Sequence, residues 1–208
     1  AEASPTWYPR ENQNLIQFRW QENDVGGAGD LLVQAFANPN FLETRTDTYR
    51  GLKTTGASSR TQSTDFGAQV SYGRKIVGQV LRIEGGLDYF GRAGARALNT
   101  YSAFDAAGRV TSVREEAAYD HGRRSDVGLF FSADYTGIGR LDLLAGVRYD
   151  SLGMAALPFG AARPARARDT AATGFLGASY GLTEELTAFV NAGRAYRVPS
   201  LGERFYTG

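Results

Sequence analysis

Asp126 to Asp150 reads DVGLFFSADYTGIGRLDLLAGVRYD, and its alternation decides the fold class. Val127, Leu129, Phe131, Ala133 and Tyr135 alternate with Asp126, Gly128, Phe130, Ser132 and Asp134. After the turn Thr136-Gly137-Ile138-Gly139, Leu141, Leu143, Ala145, Val147 and Tyr149 alternate with Asp142, Leu144, Gly146, Arg148 and Asp150. A period of two puts one set on each face of a strand, whereas a helix needs apolar spacings of three and four. The stretch therefore predicts an antiparallel hairpin with one apolar and one polar face.

The same period extends outward. In Asp65–Tyr72, Phe66, Ala68, Val70 and Tyr72 share a face. In Gln79–Phe90, Leu81, Ile83, Leu87 and Tyr89 alternate with Arg82, Glu84, Gly86 and Asp88. Residues 14–20, 31–45, 172–180 and 185–196 read as strands with a weaker alternation, giving about eight strands in all. Short turns at Gly73-Arg74-Lys75, Thr136–Gly139 and Gly181–Glu184 alternate with long connections, Gly91–Arg123 and Ser151–Thr170. In an up-and-down sheet, short turns then lie at one end and long loops at the other, as in outer-membrane barrels. The strands run roughly 9–13 residues, against the ~9–11 that cross a bilayer at a tilt and the ~5–6 usual in soluble sheets. Tyr72, Tyr89, Tyr135 and Tyr149 sit at strand ends on the apolar face, where rings favour the headgroup level. The expected fold is all-β, an antiparallel up-and-down transmembrane barrel. By parity the chain ends on the extracellular side, and Tyr206-Thr207-Gly208 supplies no terminal aromatic strand end. The reading is therefore an excerpt of a larger barrel.

Composition narrows the function. Lys+Arg 23 against Asp+Glu 22 gives +1, without the basic excess of a nucleic-acid binder. Cys 0 excludes disulfides, thiolate metal sites and a thiol nucleophile, and one His cannot form a His cluster. No apolar run approaches the ~18 residues of a spanning helix. The negative mean hydropathy of -0.33 leaves a barrel open, because only every second residue need be apolar. Gly 26 and 12% aromatic content favour strands with close approaches and aromatic belts. Ala1–Asn12 has no basic and then apolar leader, so a signal was removed or the chain starts inside a larger protein. Glu115-Glu116 would point to opposite faces of a strand, and no Gly-x-Ser-x-Gly elbow or phosphate loop is present. No enzyme, cofactor or resident metal is expected.

The run Gly193–Phe205, GRAYRVPSLGERF, resembles the barrel of TonB-dependent outer-membrane receptors. There a strand ends in a Phe-Arg-Ala-Pro box followed by Ser-Leu-x-Glu. Tyr196 stands for the Phe and Val198 for the Ala, while Arg197, Pro199, Ser200, Leu201 and Glu203 match. Leu143–Asp150 and Leu176–Leu186 are similar to that family's preceding strand end and hairpin. The resemblance implies a 22-stranded barrel around a plug, with residues 1–208 as part of the wall and the plug and terminal strands elsewhere. It implies uptake of a scarce metal chelate, foremost a ferric siderophore, with haem or cobalamin in other branches. The implied partners are that ligand, the TonB complex acting through the plug, and outer-membrane lipid, with no nucleic acid.

Candidate site residues follow. Arg163, Arg166 and Arg168 crowd one connection and are expected to attract an anionic chelate or to meet anionic lipid. Arg82, Glu84, Asp88, Asp142, Arg148 and Asp150 share the polar face and are expected to pair across strands or hold a plug. His121, beside Asp120 in the longest connection, is a weak candidate haem ligand. Arg197 and Glu203 are expected to pair with each other or to touch ligand or plug. Two other architectures fit the alternation. One is a small complete eight-stranded barrel, an adhesin or structural protein. The other is a soluble antiparallel recognition domain that buries Phe66, Leu81, Val127 and Leu143 against a second sheet.

Overall fold

The computed structural model describes residues 2–205. Short strands β1 (Glu2–Ala3), β2 (Thr6–Gln13) and β3 (Ile16–Glu22) all pair with β4 (Asp30–Arg50), so they form one interrupted stave. β5 (Leu52–Ile76), β6 (Leu81–Phe104), β7 (Val110–Ile138), β8 (Leu141–Pro158), β9 (Ala165–Gly181) and β10 (Thr187–Arg194) follow, each antiparallel to the one before. A short helix, α1 (Leu201–Phe205), closes the described chain. The result is one continuous up-and-down sheet. Among the described residues β10 pairs only with β9, and the β1–β3 stave only with β4. The sheet thus stays open where a complete eight-stranded barrel would close. No helix among the described residues is long and apolar enough to cross a membrane. Tyr206-Thr207-Gly208 lies outside the described residues.

The long connections expected from the sequence are strand. Gly91–Arg123 continues β6 to Phe104 and returns in β7 from Val110, and Ser151–Thr170 continues β8 and returns in β9. The hairpin β4–β5, turning at Gly51 (φ +78°), extends in the same way. β7 alone has 29 residues, about 95 Å at ~3.3 Å per residue. Only ~9–11 of them are needed to cross a bilayer. The remainder carries polar groups on both faces, so alternation fades while the hydrogen-bond ladder goes on. The first short turn also moves, from Gly73–Lys75 to Val77–Val80, with Val77, Gly78 and Gln79 all at positive φ.

The two faces differ in kind. On one, Val127 (49% exposed), Leu129, Phe131, Leu143, Val147 and Val190 stand uncovered. Burying such side chains is worth ~1.5–3 kcal/mol each, and a patch this broad is foreign to a soluble monomer. No second sheet covers it, which removes the packing required by the soluble alternative. Two aromatic rows border this apolar belt. Tyr72, Tyr135 and Tyr180 lie near the short-turn end, and Phe66, Tyr89 and Tyr149 lie toward the long hairpins. The nine residues from Ala172 to Tyr180 on β9 span the distance between the rows, which matches a tilted bilayer crossing.

The opposite face is charged, and a buried apolar cluster lies on it beyond the belt. There α1 places Leu201 (2% exposed) and Phe205 over Ala95, Met154 and Ala156. β6 and β7 shift register beside it, between Arg92 and Ala95 and again before Ala97, with Gly94 and His121 at positive φ. A bulge of this kind turns Ala95 to the face on which α1 sits.

The charged face as a candidate functional site

Gly128 lies between Asp88 and Asp150 in cross-strand register on β6, β7 and β8. A Cβ there would run into the Arg148 guanidinium and lie 2.8 Å from Asp88 Oδ1. Its absence leaves a lane over β7 along which Arg148 reaches Asp88. Nη1 donates to Oδ2 at 2.6 Å and Nη2 to Oδ1 at 2.8 Å, while Nε donates to Asp150 Oδ1 at 2.8 Å. The forked guanidinium fits this bidentate geometry, which a lysine does not reproduce. β6 and β8 are thereby cross-linked over β7 on one face.

Other predicted members of the polar set are also brought together. Arg82 Nη1 donates to Asp30 at 3.2 Å, and its Nη2 lies 3.6 Å from Glu84. Asp142 Oδ2 accepts from Ser179 Oγ at 3.4 Å. Sequence reasoning missed further members. Arg92 donates to both Asp65 oxygens at 2.6 and 2.7 Å. Arg124 donates to Asp126 Oδ2 and stacks over Phe90, 5.1 Å from the ring centroid. Asp126 is buried, yet its Oδ1 has no partner among the described residues. Phe130 lies over Gly86 and Phe175 over Gly146. Phe130 was the available signal, an aromatic at a polar-parity position.

Around Arg148 and Arg124 this face forms a concavity of about 960 Å³. Asp88, Asp126 and Asp150 line it together with Arg124 and Arg148, which hold them, and Phe90, Phe130, Phe175 and Tyr196 are its apolar walls. The surface suits an amphipathic partner with its own charges and rings. Among the described residues no cluster of three or more His, Cys, Asp or Glu forms a metal site.

The Tyr196–Glu203 run sits at the edge of this concavity. Ser200 caps α1: Glu203 N–H donates to its Oγ at 3.1 Å, and Ser200 N–H donates back to Glu203 Oε2 at 2.7 Å. This reciprocal box explains the Ser-x-x-Glu spacing, with Pro199 just before the cap. Arg197 Nη1 donates to both Glu203 oxygens at 2.9 and 3.0 Å. The Ser200 amide first, and Arg197 next, hold the Glu203 carboxyl below its ordinary 4.5. Leu201 is the buried plug of the helix, and Arg204 pairs with Asp169 of β9. Burial beside α1 pushes the Tyr119 phenol up, with Arg92 opposing it.

The remaining predicted residues separate. Arg163 lies in the β8–β9 turn, but Arg166 and Arg168 belong to β9 and not to a loop. His121 likewise lies within β7, at the bulge, with its side chain 75% exposed and Nδ1 3.7 Å from Asp120.

The comparisons agree with this geometry. Residues 2–208 match the family described as TonB dependent receptor-like, beta-barrel. Among solved structures, the copper transporter OprC is similar at a TM-score of 0.69 and 15% identity, covering 94% of this chain and 32% of that one. The chain thus spans about a third of that transporter's length, and at this identity the likeness speaks for the fold alone. No curated protein matches the sequence. The match over nearly every residue, on an antiparallel sheet with one apolar and one charged face, makes this chain a member of the TonB-dependent receptor β-barrel family.

Proposed function

We propose that this chain is part of the wall of an outer-membrane uptake receptor, with the apolar belt in lipid and the charged face toward the lumen. In this reading the strand extensions beyond Phe66, Tyr89 and Tyr149 stand outside the cell. The lumen holds a plug supplied by the rest of the protein, and the TonB complex acts through that plug. The observation that carries the proposal is the belt between two aromatic rows, backed by a charged concavity of about 960 Å³. The unpartnered Asp126 Oδ1 is the acceptor offered to a plug or ligand N–H, since a buried carboxylate oxygen left unmatched is costly.

The cargo we infer is a metal chelate, foremost a ferric siderophore, with haem and cobalamin as the other members of the class. The support is chemical. This part of the wall carries no Cys, one Met and one His, so it has almost none of the soft donors that hold copper directly. Its charges and aromatic rings suit an organic chelate. Arg163 in the β8–β9 turn is a steering charge on the outward side of the wall.

The test is uptake by cells with and without the full-length protein, using labelled ferric siderophores, haem, cobalamin and copper salts. Uptake of a ferric chelate that disappears with either the protein or TonB supports the proposal. Uptake of copper alone replaces the cargo, and no dependence for any of the four overturns the receptor reading.

A further inference from the structure

Arg123, Arg166 and Arg168 stand on the apolar side of the sheet, not on the charged side. Register fixes this. Arg123 on β7 is opposite Ala155 on β8, which is opposite Arg166 on β9; one step lower, Ser125, Gly153 and Arg168 form the next row. Residues in cross-strand register share a face, and Ser125 and Arg123 continue the parity of Val127 and Leu129. All three arginines are exposed.

Three further observations point to a ligand. Arg82, Arg92, Arg124 and Arg148 on the opposite face each hold a carboxylate, whereas none of these three has an acidic partner among the described residues. The small residues Gly153 and Ala155 between them leave a trough of about 350 Å³, walled by Arg123 on one side and by Arg166 and Arg168 on the other. Its lower wall is aromatic, made by Phe66 and Tyr89 of the upper row. Arg123 lies four residues beyond Val127, the partner of Tyr89, a rise of about 10 Å along a tilted strand. That height corresponds to the headgroup layer.

We propose that this trough binds the phosphorylated headgroup of an anionic lipid of the outer leaflet. Guanidinium forks from β7 and β9 would take phosphate oxygens from two sides, while the acyl chains run down over Phe66 and Tyr89. The proposal rests on the reading that the apolar belt lies in the bilayer. It gives Arg166 and Arg168 a role on the outer surface of the wall, away from the concavity where a chelate would pass.

The experiment uses the full-length receptor in nanodiscs doped with a bisphosphorylated glycolipid or its dephosphorylated form, with lipid retention read by native mass spectrometry. Wild type is compared with the Arg123→Gln/Arg166→Gln/Arg168→Gln triple variant and with Arg168→Gln alone. The expected result is about a tenfold loss of the phosphorylated lipid in the triple variant and a two- to fivefold loss in the single one. The dephosphorylated lipid should be indifferent to both, and millimolar inorganic phosphate should not compete. Oxygen accessibility of a spin label at Val127 is measured in the same discs. A receptor that inserts but retains the lipid equally in wild type and Arg168→Gln overturns the site. Effective competition by inorganic phosphate assigns the trough to a free anion and overturns the lipid. A receptor whose Val127 label stays in water overturns the membrane reading itself.

Discussion

At Gly128, one missing Cβ lets Arg148 lie flat across a neighbouring strand and reach Asp88. Gly128→Val should lift the guanidinium off that carboxylate while keeping a good strand former in place. The charge-assisted bonds are worth about 1–2 kcal/mol where they are partly solvated. The variant should therefore lower the temperature at which the sheet loses its resistance to SDS, and Arg148→Lys should do so less. At Ser200 the box is also local. Ser200→Ala should cost about 1 kcal/mol, visible as faster proteolysis near residues 199–205 with the strands untouched. Glu203 gives the sign of the pH dependence. Its folded value is lowered, so its contribution is full above the ordinary 4.5 and is lost as pH falls through the lower folded value. Proteolysis at α1 should be flat from about pH 6 to 8 and rise only in acid below that ordinary value.

At the scale of the element, α1 is held by few groups. Leu201 and Phe205 seat on Ala95, Met154 and Ala156, and Arg204 pairs with Asp169. Leu201→Ala should cost about 2–4 kcal/mol locally and release the helix, measured as faster hydrogen exchange of 200–205. The helix itself was not legible as a helix. Five residues carry no periodicity, and only the Ser200-to-Glu203 spacing marks its cap. The strands show what alternation can and cannot report. It located β7 and β8 through the belt because lipid demands an apolar group at every second residue there. It stopped at Tyr89 and Tyr149 because beyond them water meets both faces, and nothing in the side chains records that the ladder continues. The same limit hid the parity of Arg166 and Arg168, which appear in sequence as a basic cluster and in register as an outward row. The pairing of Arg148 with Asp88 was open to inference as a face but not as a contact, since 60 residues separate the partners.

At the scale of the molecule, the sheet is defined by the contrast between its sides. Val190 is 66% exposed and Val147 63% on one, while carboxylates and guanidiniums interlock on the other. Such a sheet has no stable place in water alone. In the bilayer every apolar residue of the belt meets acyl chains, and the strands satisfy their own backbone groups. The most direct test places spin labels at consecutive β7 positions 127–132 of the full-length receptor in bilayers, in a stretch with no native Cys. The account predicts that oxygen accessibility peaks at 127, 129 and 131, and that a water-soluble relaxant shows the opposite phase at 128, 130 and 132. Equal water access at both sets, or no period of two, would contradict it.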